Sequence, residues 1–63
     1  MNDYPILKFF AYGHLPEPLQ AVSRPFEELA QRMAETLPAG PEVSAGLRKL
    51  LEAKDCAVRA GLG

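Results

Sequence analysis

Apolar residues in the second half of the chain recur at three- and four-residue steps: Val43, Leu47, Leu50, Leu51, Ala57 and Val58. Residues so spaced share one face of a helix with 3.6 residues per turn, and the stretch from Gly46 to Ala60 reads as a helix on that ground. Its opposite face is polar, with Arg48, Glu52, Asp55 and Arg59. Arg48 and Glu52, like Asp55 and Arg59, stand four apart, the spacing at which opposite charges on a helix meet. Lys54 breaks the pattern. At about 100° per residue it falls near the middle of the apolar stripe, where an unpaired ammonium is costly to bury. Either its side chain reaches out past the core or an anionic group meets it there.

A second helical period precedes it. Leu19, Val22, Phe26, Leu29, Met33 and Leu37 are spaced close to a heptad seam, which predicts a helix over residues 17–37. Pro16 and Pro18 suit a first turn, where a missing N–H is no loss, whereas Pro25 lies inside the pattern and must kink the helix or divide it. The seam keeps its phase across Pro25, which favours one kinked helix; the alternative is a short turn ending at Ser23, with Ser23 capping a second helix. Pro38 stops this helix, Gly40 fits a cap, Pro41 fits a first helical position, and Glu42 complements the positive end of the next helix dipole. The second helix is therefore expected over 41–60, followed by a stop and tail at Gly61-Leu62-Gly63. So short a connection makes the two helices antiparallel neighbours.

Residues 1–15 carry Ile6, Leu7, Phe9, Phe10 and Tyr12 and end at Gly13-His14-Leu15-Pro16. The run is too close to Pro5 and Gly13 for a long helix, so an extended arm or a single turn is expected. Two roles are open to it: to lie across the helix pair and cap the core, or to offer Phe10 or Tyr12 as a stacking platform for a flat ring. The fold class is all-α: one domain, a helical hairpin with an aromatic-rich N-terminal arm.

Length adds a constraint. A chain of 63 residues buries only about 60% of the surface its unfolded form exposes, and alone it is marginal. Cys56 is the single cysteine, so no disulfide forms within the chain, and one Cys with one His does not make a four-ligand zinc site. No metal or cofactor is expected. Self-association is the remaining staple, and 48% hydrophobic against 24% charged residues is more apolar matter than a small two-layer monomer covers easily. A net charge of −1 argues against a DNA-binding surface, though not against a small anionic ligand, which needs only a few well-placed cations. No run approaches the roughly 18 apolar residues of a membrane span, and the start lacks a signal peptide's basic and long apolar regions. These features, with a free thiol, lead us to expect a cytoplasmic protein.

Catalysis finds little support. His14 and Cys56 fall on unrelated elements, whereas a nucleophile pair needs them within hydrogen-bond reach. Glu27, Glu28 and Glu35 read as a solvated face. Gly40 and Gly46 stand alone, so there is no glycine-rich phosphate loop. Arg24, Glu28 and Arg32 form an i, i+4 ladder away from the core seam; surface ion pairs of this kind contribute only about 0.3–0.5 kcal/mol each, which leaves the arginines available for another role. Arg48 and Lys49 sit early in the second helix, where a cation is mildly unfavourable beside the dipole, and they read as solvent-exposed.

Phe10-Ala-Tyr-Gly-His-Leu-Pro16, then Leu19, Val22, Phe26, Leu29 and Ala30, then Leu37-Pro38, then Pro41-Glu42 with Ser44, Leu47, Lys49, Leu50, Glu52 and Ala53, and Arg59-Ala60, form a pattern that resembles the hairpin domain of phage-encoded cyclic-nucleotide sponges. These are the anti-CBASS and anti-Thoeris sponge proteins, and the resemblance covers about residues 9–60. It implies an all-helical subunit in a symmetric homo-oligomer, often a hexamer, that binds cyclic di- or trinucleotide immune signals in the host cytosol without cleaving them. It also implies an aromatic near the start that stacks on bases, which falls on Tyr12, and a basic residue on the first helix, for which Arg24 is the nearest cation. Phe10 is a second aromatic candidate, and Lys54, Arg48 and Arg59 are candidates for a second site. A competing expectation is a structural hairpin that serves as a protein-interaction module with no small-molecule ligand.

Overall fold

The structure is a computed structural model describing residues 4–63, and the first three residues of the expected arm lie outside the described residues. The chain folds as a 3-10 helix at Pro5–Phe10, a long helix α1 at Glu17–Thr36 and a second, α2, at Pro41–Leu62; there is no strand among the described residues. Helix α1 opens on the Pro16 carbonyl, which accepts the backbone N–H groups of Leu19 at 2.9 Å and Gln20 at 3.1 Å. Glu17 adds an acidic side chain at the positive end of its dipole. The helix runs through Pro25 without interruption. The N–H that Pro25 lacks would have met the Ala21 carbonyl, and both residues are exposed, so the lost bond falls outside the packed face. At its end the Thr36 hydroxyl donates to the Arg32 carbonyl at 2.7 Å, the Leu37 N–H donates to the Met33 carbonyl at 3.2 Å, and Pro38 follows.

Helix α2 starts with Pro41, and the Gly40 carbonyl accepts the Ser44 N–H at 3.2 Å. It continues to Leu62, beyond the stop expected at Ala60, because Gly61 serves close packing rather than termination: a Cβ there would lie 3.1 Å from Leu19 Cδ2. Gly63, at φ 83, supplies the left-handed cap. Gly46, early in α2, faces Met33, late in α1, and Gly61, late in α2, faces Leu19, early in α1, which makes the pair antiparallel.

The buried face of α1 is Leu19, Ser23, Ala30 and Ala34, whereas Leu29 and Leu37 of the expected seam are 45% and 43% exposed. The packed face is thus turned by roughly 60° from the one marked by large residues, taking 3.6 residues per turn. Small side chains bring the helices close, and Val22, Phe26 and Met33 flank the contact, half-buried. Against this pair lies the 3-10 helix, in contact with both α1 and α2. It is wound where an extended arm or single turn was expected, because Phe10 enters the core with Ala30, Val43 and Leu47 while Tyr4, Ile6 and Leu7 pack around them. Extents of 36 × 18 × 15 Å leave a core one layer deep.

Candidate functional site

Beyond Phe10 the chain leaves the core and runs over the start of α1. Phe10 is fully buried, which plants the segment, and Tyr12 emerges half-buried two residues later. The Tyr12 carbonyl accepts the Leu15 N–H at 3.0 Å, closing a turn. Gln20 ties that turn to α1, its Nε2 donating to the Leu15 carbonyl at 2.8 Å and the Gly13 carbonyl at 3.4 Å. Tyr12 is therefore held from two sides, by a core anchor before it and by an amide clasp after it.

A surface cleft of about 220 Å³ lies at this junction, lined by Tyr12, Glu17, Gln20, Ala21 and Arg24. The four α1 residues follow the i, i+3, i+4, i+7 spacing of one helix face. The Arg24 Nε donates to the Tyr12 hydroxyl at 3.4 Å, and its guanidinium carbon lies 5.9 Å from the ring centroid, at the outer range of a cation–π contact. The guanidinium is held above its ordinary range, first by the bond to the Tyr12 hydroxyl, then by the charge that phenol carries when ionised and by Glu28, with slight desolvation opposing. The cleft combines an aromatic ring, an exposed cation, a carboxylate, and the carbonyl oxygen of an amide whose nitrogen is already engaged.

The remaining site candidates are dispersed. Phe10 is a core residue with no free face in this subunit, which corrects its expectation as a stacking ring. Lys54 stays largely buried rather than reaching past the core: at 8% exposure its Nζ donates to the Phe9 backbone carbonyl at 3.1 Å, and the anionic group that meets it is its own neighbour, Asp55, whose Oδ1 lies at 3.8 Å. Arg48 lines a different, mainly apolar cleft of about 280 Å³ with Tyr4, Pro5, Ile6 and Ser44. Arg59 is exposed and donates to Cys56 Sγ at 3.4 Å rather than pairing with Asp55. Arg32 lines a third cleft, with Pro25, Glu28 and Leu29. Glu17 and Gln20 were not anticipated; their positions seven and four residues before Arg24 were the available signal.

Compared with family models, curated proteins and solved structures, the chain finds no match in any of the three. Among the described residues no helix is long and apolar enough to cross a membrane.

Proposed function

We propose that this protein is a sponge: a binder that captures cyclic oligonucleotide signals, cyclic di- or trinucleotides, in the host cytosol and does not turn them over. The observation that carries this reading is the convergence of Tyr12 and Arg24, from separate elements, on one cleft. A ring face suits a nucleobase and an exposed guanidinium suits a phosphate, so the pair matches the two chemical parts of a nucleotide. With Nε on the phenol, the two terminal nitrogens of Arg24 remain to grip a phosphate in bidentate fashion.

Size supports a shared site. The cleft, about 220 Å³, is smaller than the about 300–1,000 Å³ of ordinary ligand sites, so one chain supplies half a pocket. Two copies about a two-fold axis present the ring and the cation twice, matching a ligand with two bases and two phosphates. A homo-oligomer, a hexamer by resemblance to the sponge family, also provides cover for Phe9 at 57% and Leu62 at 69% exposure, which the one-layer core leaves in water.

A thermal-shift screen against cyclic di- and trinucleotides tests the proposal, since a ligand at 100 times its dissociation constant adds about 2.7 kcal/mol to the folded state. Stabilisation that is lost in Tyr12→Ala supports a sponge. No shift with any of them favours the interaction module.

A further inference from the structure

We infer that Lys54 is a positioning residue for the candidate site, acting through the Phe9 carbonyl to hold the segment that presents Tyr12; this rests on the sponge reading for its functional meaning, though not for its structural test. The chain leaves 3-10 geometry at Ala11, with φ −58 and ψ 141, so carbonyls of the last turn lose their helical donors. Lys54, at the centre of the packed face of α2, supplies a charged donor to one of them at 3.1 Å. A cation at the negative end of a helical segment is favourable there in its own right. This contact spans 45 residues of sequence and ties α2 to a point three residues before Tyr12. With the Gln20 amide bound to the carbonyls of Gly13 and Leu15, it completes a bracket: Lys54 and the Phe10 ring fix the approach to Tyr12, and Gln20 fixes the exit.

The bracket accounts for a lysine where the pattern calls for leucine. An apolar residue at 54 would pack well enough against the core, but it would leave the Phe9 carbonyl without its donor. Lys54 is set apart from the phosphate-binding role by the same geometry: its ammonium is directed to backbone, it is largely buried, and it does not line the Tyr12 cleft.

The test compares the parent protein with Lys54→Met, Lys54→Arg and Asp55→Asn, without ligand first. Amide exchange at Leu15, whose N–H closes the Tyr12 turn, and the through-space NMR contact between the Tyr12 ring and Arg24 report the bracket directly. Loss of a charge-assisted bond predicts exchange about tenfold faster and a weakened ring contact in Lys54→Met, recovery toward the parent in Lys54→Arg, and no change in Asp55→Asn. In titrations with a cyclic dinucleotide, Lys54→Met then weakens binding with an unchanged salt dependence, because no ligand charge contact is removed. Unchanged exchange and ring contact in Lys54→Met overturn the inference, whether or not affinity falls, and a flattened salt dependence makes Lys54 a direct ligand contact instead. If Lys54→Met does not fold, parent-like exchange and ring contact in Lys54→Arg support the inference and disrupted ones overturn it. A parent protein that binds no cyclic nucleotide, with the exchange effect present, removes the sponge reading and leaves the bracket standing.

Discussion

Arg24 and Tyr12 meet through one hydrogen bond of 3.4 Å and a ring-to-guanidinium separation of 5.9 Å, although they belong to different elements. The contact pre-orders both groups, which under the proposed function lowers the entropy lost on binding. It also divides their labour in a way that substitutions can separate.

Under the proposed function, Tyr12→Ala removes the ring assigned to stacking and is expected to weaken cyclic-nucleotide binding by roughly 5- to 150-fold, from about 1–3 kcal/mol per stacked base. Tyr12→Phe keeps the ring and loses only the hydroxyl that Arg24 engages, so it retains most of the affinity. Isothermal calorimetry on both variants distinguishes stacking from hydrogen bonding. Equal losses would place the binding energy in the hydroxyl.

Arg24→Ala removes an exposed cation and little packing, so stability stays close to that of the parent while affinity falls at least about tenfold at low salt and its salt dependence flattens. The pH dependence has a definite sign. A group whose pKa is raised on folding contributes below its unfolded value, and that contribution is lost as pH rises through the folded one; for Arg24 both lie beyond the range of ordinary assays. Affinity measured between about pH 6 and about pH 9 is therefore flat as far as Arg24 is concerned.

Stability variants address the core. Ser23 is fully buried on α1, and its hydroxyl has no hydrogen-bond partner among the described residues. Ser23→Ala relieves that unpaired group and improves helix propensity, and a gain of about 1 kcal/mol is expected in urea unfolding. A loss instead would mean that the hydroxyl has a partner in the assembled protein. Phe10→Ala opens a cavity at the centre of a one-layer core and is expected to cost about 3–5 kcal/mol, a large fraction of what so small a domain holds.

Gly46 offers a finer check on the helix contact. A Cβ there would lie 3.1 Å from Met33 Cε, the free end of a flexible side chain that can give by a few tenths of an ångström. Gly46→Ala is expected to stabilise the protein by about 0.5–1 kcal/mol through helix propensity, read as a higher urea midpoint. A lower midpoint would show that Met33 has no room to move.

The hairpin was legible because its signals are local and strong: two apolar periods and a Pro38-Ala39-Gly40-Pro41 break between them. The turned face of α1 was not, since Ser23, Ala30 and Ala34 add little to a hydrophobic pattern although they are buried. That Tyr12 and Arg24 meet was not legible from spacing, because their contact depends on a turn, closed by the Leu15 N–H and tied to α1 by Gln20, that no spacing rule marks. Lys54 stood out as a misfit, yet its nearer partner is a backbone carbonyl, with Asp55 beyond it at 3.8 Å, and backbone acceptors are invisible to side-chain patterning. Phe10 and Tyr12 were indistinguishable as aromatics two residues apart; only the 3-10 winding sends one inward and leaves the other at the surface.

Calorimetric titration of the untagged protein with cyclic dinucleotides, run beside light scattering of the same sample, tests the central claim most directly. The account predicts saturable binding at about one ligand per two chains, a scattering mass that is a multiple of the 6.9 kDa chain, and recovery of intact ligand from the complex. A folded monomer at micromolar concentration that takes up no cyclic nucleotide would contradict it.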